Sequence, residues 1–142
     1  MERLAAAVVE SSVILKWFRP DEPFAQAAEE IRKAYMEERL ELVVPDLALY
    51  EIANVMRFRA SEEIAHRAVE SLFDLRIPIH RVDQPLLRQA VKDSFRCGIT
   101  VYDAVFLAVK ESLHLQLVTA DRRFRRSIHR LPGVFLLSEL RV

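Results

Sequence analysis

Apolar residues along this chain recur in two rhythms. Short unbroken runs alternate with longer stretches in which an apolar residue returns every few positions. Unbroken runs bounded by turn residues predict buried strands, and helical spacing predicts amphipathic helices. Strands are therefore expected over residues 5–9 ("AAAVV"), 41–45 ("ELVVP"), 77–82 ("IPIHRV"), 115–120 ("LQLVTA") and 134–137 ("VFLL"). A helix is expected over residues 21–39, where Ala25, Ala28, Ile31 and Tyr35 share a face, with Asp21 as its cap and Pro23 in its first turn. Further helices are expected from the capping Asp46 to about residue 58, from the capping Ser61 to residue 75, over 84–96, over 100–113, and through the arginine-rich segment after Asp121.

Strands that alternate with helices over short connections predict an α/β fold with a mainly parallel central sheet covered by helices. In such sheets ligands gather beyond the carboxyl ends of the strands. Gly98 and Gly133 are the only glycines, and no linker-like or repetitive stretch divides the chain, so one domain over residues 1–142 is expected.

Composition narrows the function classes. With 51% hydrophobic and 30% charged residues, the chain has the make-up of a globular protein rather than a disordered one. No apolar run approaches the roughly 18–20 residues of a membrane span. No secretory leader is evident either, so a cytoplasmic location without membrane contact is expected. Cys97 is the only cysteine, which excludes an internal disulfide and a cysteine-based zinc site. The formal net charge is zero, so any binding of nucleic acid must use a local patch. Arg122, Arg123, Arg125, Arg126 and Arg130 form such a patch, and Lys16 and Arg19 form a smaller one.

Four acids interrupt apolar segments: Glu10 directly after "AAAVV", Glu51 in "VPDLALYEIANVMRF", Asp103 in "GITVYDAVFLAV", and Asp121 directly after "LQLVTA". An ionised carboxylate beside a core costs several kcal/mol unless something compensates it. Each acid has an ordinary explanation when taken alone. Asp103 can answer a helix dipole, Asp121 can cap the helix after it, Glu51 can pair with Arg57 or Arg59, and Glu10 can pair with a base such as Lys16. Taken together, a shared hard cation explains all four. Mg²⁺ prefers carboxylate and water oxygens. Converging acids repel one another unless a cation sits among them. The histidines (His66, His80, His114 and His129) are scattered, which disfavours zinc.

In this order and at this spacing, "VVESSVILKWF", "PDLALYEIANVM", "GITVYDAVFLAV" and "LVTADRRF" resemble a PIN domain of the VapC type, the ribonuclease toxins of prokaryotic toxin–antitoxin pairs. The resemblance covers almost the whole chain. It implies a three-layer α/β/α sandwich and a Mg²⁺- or Mn²⁺-dependent endoribonuclease. It also implies a homodimer and a small antitoxin partner that occupies the active-site groove. Residue by residue, it assigns the metal-binding and catalytic acids to Glu10, Glu51, Asp103 and Asp121. Asn54 stands beside Glu51, Thr119 offers a hydroxyl at the "T-x-D" strand end, and Ser12 is the hydroxyl next to Glu10. Lys16, Arg122, Arg123 and Arg126 become the residues expected to neutralise RNA phosphates.

One position departs from the pattern. The family nearly always has aspartate where this chain has Glu10, one methylene longer. That departure opens an alternative: a PIN-like module that binds antitoxin or RNA without efficient cleavage. A third class, a small hydrolase or phosphatase, lacks a nucleophile motif and a Gly-rich phosphate loop.

Overall fold

The computed structural model describes residues 4–140, so the outermost residues of the 1–142 span lie outside it. Its strands are β1 (Ala6–Val9), β2 (Glu41–Pro45), β3 (Ile79–His80), β4 (Gln116–Thr119) and β5 (Val134–Leu136). All pairings are parallel, in the order β3-β2-β1-β4-β5. Val8 of β1 sits between Val43 of β2 and Leu117 of β4. The central strand is apolar on both faces: Ala7, Val8 and Val9 are wholly buried, as expected where helices cover both sides of a sheet. The expected α/β/α architecture with a parallel sheet is therefore the observed one.

The helices are α1 (Ser11–Leu15), α2 (Ala25–Met36), α3 (Leu47–Arg59), α4 (Glu62–Asp74), α5 (Gln84–Cys97), α6 (Val101–Leu113) and α7 (Arg122–Ser127). Helix α6 is buried continuously from Ala104 to Val109, the mark of a helix enclosed on all sides rather than laid on a surface. It packs against α5, β1, β2 and β4, which makes it the internal pillar of the fold. Capping fits the local sequence. Ser61 Oγ accepts from Ile64 N at 3.3 Å, Asp83 Oδ1 from Leu86 N at 3.0 Å, and Thr100 Oγ1 from Asp103 N at 3.0 Å.

Two expected elements are shorter than the pattern implied. The helix expected over 21–39 spans only Ala25–Met36, and Asp21 does not cap it. Pro23 disfavours the helical conformation of Glu22 before it, and Phe24 adopts a left-handed backbone with φ of 62°. At the other end Glu38, at φ 57°, stands where glycine usually closes a helix. Its N–H donates to Tyr35 O, and Arg39 N–H donates to Ala34 O. The strand expected over 77–82 pairs only at Ile79–His80. Pro78 has no N–H to give a ladder, and this strand lies at the sheet edge.

Candidate functional site

The strand order places a crevice where the four acids need one. The strands β2 and β3 build outward on one side of β1, whereas β4 and β5 build on the other. The chain switches direction between β1 and β4, and the space beyond the carboxyl ends of two such strands is the usual ligand crevice of an open parallel sheet. Glu10 leaves β1 at that edge, with its N–H bonded to Val118 O of β4 at 2.9 Å. Thr119 ends β4, and Asp121 follows it.

Glu10 is 7% exposed, and its Oε2 is held by three donors. Ser12 N donates at 3.1 Å, Ser12 Oγ donates at short range, and Thr119 Oγ1 donates at 3.0 Å. Each hydroxyl is itself aimed by a backbone N–H from the β4–α7 connection. Ala120 N donates to Ser12 Oγ at 2.9 Å and Asp121 N to Thr119 Oγ1 at 3.0 Å. Glu10 also caps α1. This network stitches the ends of β1 and β4 together around one carboxylate oxygen. Burial pushes the Glu10 carboxyl up to about 7. The hydrogen bonds from Ser12 and Thr119 pull the other way, and the charge of Glu51 adds to the rise.

The other three acids come from helices packed at the same edge. Glu51 lies on α3, and its Oε1 accepts from Ser11 Oγ at 2.9 Å. Its carboxyl is raised by burial and then by the charge of Asp103. Asp103 stands in the first turn of α6 and is raised by burial and then by Asp121. Asp121 caps α7, with Oδ1 accepting from Phe124 N at 3.0 Å. The acids therefore feel one another in sequence, Glu10 to Glu51 to Asp103 to Asp121. Among the described residues none of the four is in an ion pair. Arg57 stacks over Phe58 instead of pairing with Glu51, and Lys16 pairs with Glu22 instead of Glu10.

Among the described residues no three His, Cys, Asp or Glu side chains are arranged to hold a metal ion by themselves. The donor set nevertheless fits Mg²⁺ or Mn²⁺. These are hard cations, and Mg²⁺ commonly takes one or two carboxylates and completes its shell with water. Every acid here supplies oxygen, and Glu10, Glu51 and Asp103 are each raised in part by the charge of another acid of the four. Positive charge at this edge would relieve that repulsion.

The remaining expected residues fall in different settings. Ser12 and Thr119 touch Glu10 directly, whereas Asn54 lies exposed one turn beyond Glu51. Arg123 and Arg126 are exposed on α7, and the Arg122 guanidinium lies 5.9 Å from the centre of the Phe24 ring. Trp17 donates its indole N–H to Ala28 O at 2.8 Å, so it anchors the turn after α1 to α2. Two participants escaped the sequence reading. Ser11, buried and bonded to Glu51, carried only the signal of a second serine beside Glu10. Thr100, three residues before Asp103, carried the spacing of a helix cap.

The PIN domain pattern matches residues 7–127. Over 123 residues, covering 82% of this chain and 89% of its relative, the sequence is 31% identical to Ribonuclease VapC3 of Pyrobaculum aerophilum. Solved structures share the fold, two of them as follows. VapC20 of Mycobacterium tuberculosis, a Sarcin-Ricin loop cleaving toxin, superposes with a TM-score of 0.71 at 16% identity over 86% of this chain and 95% of that one. A toxin-antitoxin complex from Klebsiella pneumoniae superposes with a TM-score of 0.69 at 16% identity over 94% of this chain and 99% of that one. The chain belongs to the PIN domain family and, within it, to the VapC-type proteins.

Proposed function

We propose that this chain is a Mg²⁺- or Mn²⁺-dependent endoribonuclease, the toxin of a type II toxin–antitoxin pair acting in the cytoplasm. The observation that carries the proposal is the meeting of Glu10, Glu51, Asp103 and Asp121 at one sheet edge without a basic partner. The name of its 31% identical relative, Ribonuclease VapC3, supports the same reading.

In this reading the four acids hold the cation, directly or through water. When bound, Mg²⁺ or Mn²⁺ supplies Lewis acidity and an activated water for in-line displacement at phosphorus. Ser12 and Thr119 fix Glu10 so that only one of its oxygens is committed within the protein. Ser11 fixes Glu51, and Thr100 sets the start of α6 so that Asp103 faces the same edge. Asn54 offers an amide one turn from Glu51. Lys16, Arg122, Arg123 and Arg126 neutralise the RNA backbone beside the acids.

An antitoxin partner and a homodimer belong to the same proposal. The fold-level likeness to a toxin-antitoxin complex supports the first. For the second, Leu87, Val91 and Phe95 form an apolar stripe on α5 at helical spacing, 45%, 41% and 86% exposed. Phe95→Asp should convert a dimer to a monomer in light scattering; an unchanged mass would place the interface elsewhere.

The test of activity is cleavage of a labelled RNA with Mg²⁺ or Mn²⁺, with Asp103→Asn as the control. Cleavage that survives in the control defeats the assignment. One observation favours the second reading, a module that binds without efficient cleavage: Glu10 Oε2 already carries three donors. Binding of RNA without cleavage by the unaltered chain would establish that reading.

A further inference from the structure

The segment between α1 and α2 carries a feature that the acids do not account for. Glu22 bridges two cations: its Oε2 lies 3.4 Å from Lys16 Nζ and its Oε1 lies 3.0 Å from Arg19 Nε. The three side chains are only 12–26% exposed, so they are partly withdrawn from water. One carboxylate leaves this pair of cations with a net positive charge. It also leaves donors unspent, since Nη1 of Arg19 is buried without a hydrogen-bond partner. A guanidinium presents five N–H donors in a fixed fork suited to an anion with several oxygens.

Glu22 is tied to the same turn as the cations, its N–H donating to Arg19 O at 3.1 Å, so only its side chain would have to leave them. Lys16 and Arg19 flank a short helical turn pinned to α2 by the Trp17 indole. Glu22 lies in the irregular stretch that precedes Pro23 and the left-handed Phe24. The Phe24 ring meets the Arg122 guanidinium, and Arg122 directly follows Asp121. The stretch holding Glu22 therefore borders the acidic edge.

We propose that Lys16 and Arg19 form a seat for a backbone phosphate of the RNA strand, and that Glu22 occupies this seat in the free protein as a carboxylate stand-in. The proposal rests on the ribonuclease reading above and adds a built-in competitor to it. Phosphate offers more oxygens than a carboxylate and displaces Glu22, which then turns to solvent. Partly exposed ion pairs are weak, so the competitor weakens RNA binding without abolishing it.

The experiment measures binding of a labelled single-stranded RNA oligonucleotide to the full chain in EDTA, where no cleavage occurs, across a range of salt. Glu22→Gln should tighten binding roughly three- to fivefold. Glu22→Asp, which keeps the charge but withdraws it by a methylene, should tighten it less. Glu29→Gln removes a similar charge from exposed α2 and should change affinity under about twofold, as an exposed pair does. Lys16→Gln and Arg19→Gln should each weaken binding and flatten the salt dependence by roughly 0.7 in slope. Combined, they should erase the gain from Glu22→Gln. A gain matched by Glu29→Gln, or one that persists without Lys16 and Arg19, overturns the seat. Binding that is absent in EDTA or indifferent to Glu22 overturns the seat alone, whereas a chain that cleaves no RNA with Mg²⁺ or Mn²⁺ overturns the ribonuclease reading.

Discussion

Glu10 and Asp93 are both sunk into the fold, at 7% and 0% exposure, and the molecule treats them in opposite ways. Asp93 lies between α5 and α6 and draws its partners from its own helix. Arg96 Nη2 and Gln89 Nε2 donate to its Oδ1 at 3.1 and 2.9 Å. The cation reaches back from a half-exposed position and answers Oδ1 within one turn, although Oδ2 is buried without a hydrogen-bond partner and the charge is felt by Glu111 on α6. Glu10 receives only hydroxyl and amide donors, and the charges nearest to it are other acids. An acid that serves packing brings its counter-charge along. The acids at the sheet edge have no basic partner among the described residues.

That contrast is sharpest in catalysis. Glu51→Gln should lower RNA cleavage by on the order of 10²-fold, because it removes a carboxylate that holds the cation. Arg96→Gln, at the other buried acid, should leave cleavage within a few-fold of the unaltered chain. Equal losses for the two would remove the distinction between them. Single-turnover cleavage rates measure both.

The same contrast has a pH signature in metal-free protein. The Glu10 carboxyl is raised from 4.5 to about 7, so the folded state binds its proton more tightly than the unfolded state does. The resulting stability is complete below about pH 4.5, declines as pH rises through the window between those values, and levels off above about 7. At about 1.4 kcal/mol per pKa unit, the loss attributable to Glu10 is on the order of a few kcal/mol. Melting in EDTA should therefore occur at lower temperature at pH 8 than at pH 5. Glu10→Gln should remove much of the difference, and added Mg²⁺ should restore the pH 8 value. Identical pH slopes for Glu10→Gln and the unaltered chain would detach the effect from Glu10.

At Asp93 the expected effect is smaller. Arg96→Gln strips a buried carboxylate of its cation and should cost about 1–2 kcal/mol in urea unfolding, a reduced figure because Arg96 is half exposed. Added Mg²⁺ should not repair it. Recovery with Mg²⁺ would mean that this acid, too, recruits charge from outside.

The two regions also differ in how far the sequence announces them. Glu10 and Asp121 directly follow strands with apolar cores, a local signal that places them at the sheet edge before any contact is known. Asp93 was hidden in a stretch that reads as a solvated helix face. Yet Leu86, Ala90 and Asp93 share one buried stripe of α5, so helical spacing carried a signal that its charge obscured. Partners were less legible than positions. Ser11 reaches Glu51 across 40 residues of chain, and Thr119 reaches Glu10 across 109. The start of α2 was misplaced because a proline and a left-handed phenylalanine hold that stretch outside the helix, with Glu22 turned to Lys16 and Arg19.

The smallest expected effect comes from Glu10→Asp, which gives the first acid the length usual in the family. The structure explains how the longer side chain is accommodated: Oε2 folds back onto Ser12, two residues on, as a helix cap does, and reaches Thr119 across the strand gap. Aspartate is a favoured residue at that cap position, so the bonds to Ser12 should survive the loss of a methylene while the bond to Thr119 lengthens. Stability should change by less than about 1 kcal/mol, near the usual worth of one hydrogen bond. The cleavage rate should change by less than about tenfold, well short of the roughly hundredfold loss that a 1 Å misplacement of a reacting group can bring. A gain of a hundredfold would mean that the methylene holds the site back, and that the chain as it stands is chiefly a binding module. A hundredfold loss would mean that the contact with Thr119, rather than the charge alone, sets where the acid meets its cation.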